Sequence, residues 1–385
     1  MTAAPRARPF SAAERADWLR LIRCENVGPI TFFRLIDRFG SAGAALSALP
    51  DLARRGGARE IKLIGRDAAE DEIARTEALG GRIVAWGEPD YPPLLARIED
   101  SPPVIAVVGD ASLLGKRAIA VVGARNASIA GRRFAAGLAR DLGRAGLLVV
   151  SGMARGIDAA AHEGALPTGT VAVLGGGVDV IYPRENAALY DGIRDRGALI
   201  SEVAAGTEPQ ARHFPRRNRI IAGMCRGVVV VEASPKSGSL ITARLAVEQG
   251  REVFAVPGAA MDPRARGTNG LIRQGAVLTE SAEDVLSALS GTLSDPLAAP
   301  LADPARDTPE PGPEAPPSPE ALAAARPQIL AGLGVSALEV DEIIRNCQFS
   351  PATVATILLE LELAGRLERH PGNRVSLLPG PSDAH

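Results

Sequence analysis

One segment of the chain, Arg212–Arg219, combines four arginines with a phenylalanine within eight residues. Guanidinium groups neutralise backbone phosphates, and an aromatic ring offers a surface on which a base can stack. This combination is typical of proteins that hold single-stranded nucleic acid without sequence preference. Composition alone leaves open a second interpretation, a solvated helix start with Phe214 in the core.

Four turns rich in Gly or Ser follow apolar segments and could extend an anion-binding surface. The first of them offers Arg125 to a phosphate and Ser128 as a helix cap, and the last offers Lys236 and hydroxyl groups at a helix N-terminus. Ligands of open α/β sheets lie beyond the carboxyl ends of the strands, so these turns predict a common phosphate-binding surface. The turns are Val122–Ser128, Ser151–Asp158, Gly175–Asp179 with the nearby Tyr182-Pro183-Arg184, and Ser234–Ser239.

These turns lack the fingerprints of two common nucleotide ligands. No G-x-G-x-x-G motif follows the first strand, and Ser151 stands where a dinucleotide-binding domain would offer an acid to the ribose. The segment Gly109–Arg117 has five residues between its glycines instead of four and lacks the Ser or Thr of a Walker loop. We therefore expect no nicotinamide, no ATP and no other cofactor.

A hydrolase that cleaves nucleoside monophosphates is the alternative within the same fold class. Such phosphoribohydrolases carry a P-G-G-x-G-T-x-x-E loop whose acid performs the chemistry, and the corresponding Ser234–Thr242 contains no carboxylate. Asp158 and His162 could form an acid–histidine pair. Equally, Asp158 could stabilise a helix N-terminus while His162 packs or is solvated. We expect a binding protein with no catalytic residue.

The middle of the chain alternates apolar strands with helices such as Gly131–Gly143 and Leu240–Gly250. The strands are apolar without alternation, the pattern of strands covered by helices on both faces. This predicts an extended Rossmann-like, doubly wound, mainly parallel sheet over residues 82–290, in which Arg82–Asp110 adds one or two strands. The predicted strands are Ala118–Val122, Leu147–Val150, Thr170–Leu174, Ala198–Ile200, Val228–Val231, Val253–Val256 and a possible edge strand, Val277–Thr279.

Residues 1–81 predict a small helical domain of the SAM or helix-hairpin-helix type around the turn Glu25–Pro29. Such a turn holds DNA phosphates in some proteins, although an ordinary turn in a small bundle explains the pattern equally. Residues 291–320 contain nine prolines and six acids, which predicts a disordered linker. The predicted N-terminal helices are Ala12–Arg23, Ile30–Phe39 and Ala42–Leu49.

Residues 321–385 have the layout of a winged helix. Winged helices usually bind duplex DNA, which makes a transcriptional regulator the third interpretation. However, Gln348–Gly365 contains no Lys or Arg, so its helix would repel phosphates, and we expect it to contact a partner or to regulate the protein. The predicted elements are a helix opened by a Ser336–Glu339 capping box, a helix opened by Ser350-Pro351, and wing strands Arg366–Arg369 and Arg374–Leu377.

The net charge of −2 is unevenly distributed. The segment Gly115–Glu280 holds 22 Lys and Arg against 14 Asp and Glu, and the rest of the chain is acidic. A basic middle between acidic ends favours a phosphate-binding domain, although a general preference for Arg explains the same counts. Three distant cysteines and four histidines without ligand spacing argue against disulfides and metal sites. With no signal segment and no apolar run long enough to span a bilayer, we expect a cytoplasmic protein that does not enter the membrane.

Six segments of the middle domain occur in the same order in a known family, and they read VGARNAS, SGMARGIDAAAH, LGGGVDVIYPREN, FPRRNRIIAG, VVVVEASPKSGSLITARLAVEQGREVFAVPG and GTNGLIRQGA. On these segments Tyr91–Leu289 resembles the DNA-processing protein A (DprA/Smf) family, with a looser likeness in both flanking modules. The resemblance implies a protein that binds single-stranded DNA, protects incoming DNA and loads RecA recombinase in natural transformation and recombination. It also implies a homodimer formed through the Rossmann-like core.

The resemblance also implies which side chains line a DNA pocket. We expect Phe214 to stack on a base, and Arg217, Arg219 and Arg125 to contact phosphates. The surface for RecA does not follow from any short motif. The candidate DNA-binding residues are Arg125, Ser128, Ser151, Gly152, Arg184, Phe214, Arg216, Arg217, Asn218, Arg219, Lys236, Ser237 and Gly238.

Overall fold

A computed structural model of the protein describes residues 9–293, 317–370 and 372–378. These residues divide into two compact units. The sheet unit contains residues 9–15 and 70–293, and the helical unit contains residues 16–69 together with the described residues from 317 onward. None of the helices in the described ranges combines the length with the apolar character that a membrane span requires.

The sheet unit is built on nine strands in the order β1-β2-β6-β5-β4-β3-β7-β8-β9. All neighbours from β6 to β9 are parallel, whereas β2 is antiparallel to both β1 and β6. The doubly wound, mainly parallel sheet is confirmed, and each strand predicted between Ala118 and Thr279 forms within about a residue of its expected bounds. The strands are β1 Arg82–Ala85, β2 Val104–Gly109, β3 Ala118–Gly123, β4 Leu148–Ser151, β5 Thr170–Val173, β6 Ala198–Ser201, β7 Gly227–Val231, β8 Glu252–Ala255 and β9 Val277–Leu278.

Helices connect these strands and cover the sheet. Strands β4, β5, β6 and β7 are buried at every residue, as expected for apolar runs with helices on both faces. The strand order reverses at β3, because β4 lies on one side of it and β7 on the other. Such a reversal opens a crevice at the carboxyl ends of the strands. The helices are α5 Ile129–Arg144, α6 Ile157–Ala165, α7 Ala187–Arg196, α8 His213–Gly223, α9 Gly238–Glu248, α10 Arg266–Arg273 and α11 Ala282–Leu293.

The N-terminal helices extend the predicted bundle. The third predicted helix continues past Pro50 to Gly56, and a fourth helix follows that the sequence did not predict. Trp18 packs its ring edge-on against Phe32, with ring centroids 4.9 Å apart, which gives this small module an aromatic core. The helices are α1 Ala12–Arg23, α2 Pro29–Phe39, α3 Ala42–Gly56 and α4 Arg66–Ala78.

The C-terminal module is the expected winged helix, with three helices and a three-stranded sheet. Its predicted capping box of Ser336 and Glu339 is wrong. The helix begins only at Val340, so Glu339 is its N-cap and not a residue of its first turn. Glu339 also pairs with Arg374 in a short strand, which keeps the backbone extended up to the start of the helix. The elements are α12 Pro319–Gly332, β10 Leu338–Glu339, α13 Val340–Cys347, α14 Pro351–Leu363, β11 Leu367–His370 and β12 Arg374–Leu377.

The predicted linker 291–320 lies largely outside the described residues. Its described ends, residues 291–293 and 317–320, include the last turn of α11 and the start of α12. The disordered linker therefore stays a prediction for residues 294–316.

Within the helical unit, the third helix of the winged helix packs on the N-terminal helices. A Cβ placed on Gly56 of α3 would overlap the carbonyl oxygen of Glu360 in α14, so the two backbones are in close contact. The turn between α1 and α2 takes part, because the Asn26 amide donates to the Leu363 carbonyl at 3.2 Å. The turn Glu25–Pro29, for which the sequence left a DNA contact open, therefore contacts α14.

A buried carboxylate lies in this interface. The Glu360 side chain is completely buried and forms an ion pair with Arg326 of α12, while Arg55 of α3 approaches its second oxygen at 4.0 Å. Breaking a buried ion pair by removing its cation leaves an uncompensated charge in a low-dielectric environment. Arg326 therefore stabilises both the winged helix and its contact with α3.

We predict that Arg326→Ala lowers the free energy of unfolding of the intact chain by about 3 kcal/mol, because Glu360 loses its nearest cation. Arg345→Ala is the matched control, since Arg345 is exposed on α13 and should change stability by less than about 0.5 kcal/mol. Urea unfolding of both variants measures the difference. Equal stability of the two variants would contradict the assigned role of Arg326.

Candidate nucleic-acid interface

Two connected cavities open at the carboxyl ends of β3, β4, β5 and β7, with volumes of about 420 and 830 Å³. They share several lining side chains and form one surface, here called the aromatic groove. The turns after β3 and β4, the start of α8 and the start of α9 supply its walls. Its principal lining residues are Arg125, Gly152, Tyr182, Phe214, Arg217, Asn218, Ser237 and Gly238.

Phe214 forms one wall of the aromatic groove. Its ring centroid lies 5.7 Å from that of Tyr182, and the Arg125 guanidinium carbon lies 5.0 Å from the Phe214 ring centroid. A Cβ on Gly175 would lie 3.0 Å from the ring, so the ring packs closely on bare backbone. Tyr182 is 47% exposed and Arg125 is exposed, whereas Phe214 is half-buried. The alternative of a core phenylalanine is therefore wrong, because the ring borders an open cavity.

Arg217 is buried and anchors the floor of the groove. Its guanidinium donates to the Gly152 carbonyl at 2.5 Å and to the Val173 carbonyl, and its Nε donates to the Asn218 side-chain oxygen at 3.2 Å. A Cβ on Gly152 would overlap the guanidinium, which explains the glycine at this position. Burial lowers the pKa of Arg217 to about 10, opposed by the Asp158 carboxylate, so the group stays protonated at neutral pH.

Arg219 lies in another part of the sheet unit from the groove. Its guanidinium forms ion pairs with Glu202 and with Asp100, the latter at 3.3 Å, and is nearly buried. It does not line either cavity. The expectation that Arg219 contacts a phosphate therefore has no support in this arrangement, because two carboxylates already engage the guanidinium.

The remaining predicted residues fall into two groups. Ser128 and Ser151 form hydrogen bonds within the protein. Ser128 caps α5, and the Ser151 hydroxyl donates to the Val121 carbonyl at 2.6 Å. Three basic side chains are exposed but do not line the aromatic groove, and they are Arg184, Arg216 and Lys236.

The N-terminus of α5 is occupied by a side chain of the protein itself. Ser128 donates to the Glu232 carboxylate from its backbone nitrogen at 2.8 Å and from its hydroxyl at 2.5 Å. A Cβ on Gly131 would overlap the same carboxylate. Dinucleotide-binding domains place a pyrophosphate at this helix end, so Glu232 takes the position that such a ligand would need.

Asp158 and His162 do not form the acid–histidine pair considered from the sequence. The His162 Nδ1 hydrogen-bonds the Thr170 hydroxyl at 2.8 Å, and Asp158 accepts from the Ala154 backbone at 3.3 Å. Both side chains are buried; burial raises the pKa of Asp158 and lowers the pKa of His162 to about 3. Asp158 instead lies in the first turn of α6, close enough to Arg217 to favour the charged guanidinium.

Tyr182 lines the groove but is absent from the candidate DNA-binding residues, although it was noted beside one of the predicted phosphate-binding turns. It follows the third Gly-rich turn in the segment VDVIYPREN, and a Tyr beside such a turn is the signal that could have identified it. Arg264, from the loop before α10, also lines the groove and forms an ion pair with Asp262 at 2.9 Å. No motif in the sequence pointed to Arg264.

The fold and the groove define a Rossmann-like protein with a basic, aromatic surface at the carboxyl edge of its sheet. Three protein-family models match the chain: DNA recombination-mediator protein A over residues 82–290, the DprA-like N-terminal HHH domain over 12–74, and the DprA winged helix domain over 313–373. The chain belongs to the DNA-processing protein A (DprA/Smf) family.

Individual relatives are similar over most of the chain or over about half of it. Protein Smf of Escherichia coli is 38% identical over 315 residues, which cover 81% of this chain and 82% of the relative. The DNA processing protein DprA of Bacillus subtilis is 47% identical over 202 residues, covering 52% of this chain and 68% of the relative.

Two solved structures resemble the fold. DNA processing protein A of Streptococcus pneumoniae superposes with a TM-score of 0.61 at 35% identity, covering 70% of this chain and 95% of that one. A structure describing the single-stranded DNA binding mode of DNA processing protein A from Helicobacter pylori has a TM-score of 0.50 at 28% identity, covering 55% and 96%.

We predict that Arg217→Ala lowers the free energy of unfolding by about 3 kcal/mol, because two carbonyl groups lose their donor and buried Asp158 loses its cation. Arg216→Ala is the matched control: it removes the same charge from the neighbouring, exposed position and should leave the melting temperature nearly unchanged. Calorimetric melting of both variants distinguishes a structural guanidinium from a solvated one. Equal melting temperatures would contradict the structural role.

The buried His162 should make stability depend on pH. Its pKa is about 3 in the folded protein and about 6.5 in an unfolded chain, so the unfolded state binds more protons between these values. The contribution of His162 is fully present above pH 6.5 and decreases by about 1.4 kcal/mol per pH unit below it. Asp158, with its raised pKa, acts in the opposite direction, so the difference from a His162→Asn variant isolates the histidine.

Urea unfolding of the parent and of His162→Asn between pH 7.5 and 5 measures this difference. We expect the parent to lose stability relative to the variant as the pH falls. Parallel stability curves would show that His162 titrates normally and is not buried as a neutral ring.

Proposed function

We propose that this protein is a single-stranded DNA-binding member of its family that holds the strand in the aromatic groove. The arrangement of Arg125, Phe214 and Tyr182 carries this proposal. Two adjacent rings offer stacking surfaces for bases, and an exposed guanidinium beside them neutralises a phosphate. The relative from Helicobacter pylori, whose structure describes binding of single-stranded DNA, supports the same ligand class for this chain.

We further infer that the bound strand is DNA that the protein protects and passes to a recombinase. As a relative of DNA processing proteins, the chain would protect incoming DNA and load RecA recombinase onto it during transformation and recombination. It would act in the cytoplasm as a homodimer formed through the sheet unit. In this role the protein binds and transfers a strand and performs no covalent chemistry.

The alternatives receive less support from the site. The Asp158 and His162 side chains are engaged with separate partners, which leaves the hydrolase without its acid–histidine pair. A duplex-reading regulator would need α14 free to enter a major groove, yet α14 packs on α3 and carries no basic residue.

Substitutions in the aromatic groove should separate two physical contributions to strand binding. Phe214→Ala removes a stacking surface and should weaken binding by about 1–3 kcal/mol with little change in salt dependence. Arg125→Ala removes a phosphate contact and should flatten the slope of log K against log salt by about 0.7. Fluorescence anisotropy with a labelled oligonucleotide at three salt concentrations measures both quantities.

Two further variants serve as controls in the same assay. Tyr182→Phe keeps an aromatic ring and should bind like the parent, whereas Arg244→Ala removes an exposed arginine of α9 that pairs with Glu248 outside the groove. If the folded Phe214→Ala and Arg125→Ala proteins both bind like Arg244→Ala, the strand binds elsewhere and the proposed site is wrong.

A further inference from the structure

A second depression adjoins the aromatic groove on the side of α5 and α6. It has a volume of about 500 Å³ and shares Arg125 with the groove. Its other walls come from the first turns of α5, the turn after β4, helix α6 and the two residues directly before α7. The depression, here called the arginine depression, is defined by Arg125, Ile129, Arg132, Arg133, Arg155 and Asn186.

The charge of this surface is mostly uncompensated. Arg132 and Arg133 are exposed, and within the part of the chain that the structure describes neither guanidinium has an ion-pair partner. Arg155 pairs with Glu185 at 2.9 Å, so this arginine and this acid neutralise each other. Glu163 is the one remaining acid that lines the depression. The surface is therefore positive, even with its acids included.

An apolar residue lies within this positive surface. Ile129, the first residue of α5, is 70% exposed although it is a large aliphatic side chain. Guanidinium groups around an exposed apolar side chain suit a ligand that carries phosphates and apolar ring faces together, as a nucleotide does. The N-terminus of α5 itself contributes no anion site, because Glu232 occupies it.

We propose that the arginine depression is a second subsite for the same single strand, and that it binds nucleotides which extend beyond the aromatic groove. This proposal rests on the proposed function of that groove. Arg125 lines both surfaces, so a strand that passes it can follow a continuous basic path from the aromatic rings to Arg132 and Arg133. An acidic protein segment would satisfy the charge but would not explain the continuity with the aromatic groove.

The dependence of binding on strand length tests this subsite. An oligonucleotide of about 6 nucleotides is near the smallest single-strand site sizes and should occupy the aromatic groove alone, whereas one of about 30 should cover both surfaces. For the long strand, Arg132→Ala/Arg133→Ala should weaken binding and flatten the salt slope by about 1.4, corresponding to two lost phosphate contacts. The short strand should bind the double variant as it binds the parent.

The control for this double variant is Arg140→Ala. Arg140 is exposed on the same helix but lies eight residues beyond Arg132, about 12 Å along the axis, and does not line the depression. We expect it to bind both strands like the parent. A thermal melt of each variant establishes that it is folded before its affinity is compared.

The outcomes separate the subsite from the proposed function. If the parent binds the long strand and Phe214→Ala weakens that binding, but Arg132→Ala/Arg133→Ala matches Arg140→Ala in affinity and salt slope, the subsite is refuted and the groove stands. If the parent binds neither strand, the proposed function itself fails. Equal losses on the short and long strands would also overturn the subsite, because the arginines would then act on the aromatic groove.

Discussion

The buried guanidinium of Arg217 is the interaction on which the groove depends. It donates to the carbonyls of Gly152 and Val173, which follow or end two adjacent parallel strands, and so fixes the carboxyl edge of the sheet. Asp158 lies close enough to favour the charged form despite burial. Arg217 and Phe214 lie three residues apart on α8. The hydrogen bonds of Arg217 therefore also fix the position of the Phe214 ring beside the turns after β3 and β5.

The electrostatics of the edge divide into internal and external charges. Arg217 and Arg219 are buried and bind groups of the protein itself. At the N-terminus of α5, the Glu232 carboxylate takes the place that a nucleotide phosphate has in other proteins. Arg125 remains exposed above the Phe214 ring. We infer that this arrangement suits a nucleic acid strand, whose bases can stack on the rings while its backbone follows the surface. It suits a bound dinucleotide less well, because the pyrophosphate would need the helix end that Glu232 already occupies.

The sequence predicted the sheet well because buried parallel strands are continuous apolar runs. Phe214 and Arg125 were noticed because their residue types are unusual in those segments, and the structure brings the two side chains together, while their contact with DNA stays a prediction. The sequence could not predict which arginines are buried. Arg216, Arg217 and Arg219 are equivalent in composition, and only the backbone carbonyls and carboxylates brought near by folding decide that two of them are internal. Nor could it predict the contact of Gly56 with α14, because that pairing joins segments some 300 residues apart and leaves no local pattern.

The central claim, that a single strand lies across Phe214 and Tyr182, is tested most directly by photocrosslinking. A strand containing 5-iodouracil, irradiated in complex with the full chain, crosslinks to aromatic side chains in contact with its bases, and mass spectrometry of the digested complex locates the site. We expect crosslinks at Phe214 or Tyr182, and we expect Phe214→Ala to reduce them. Crosslinks confined to the winged helix or the N-terminal helices, with none in residues 174–219, would contradict it.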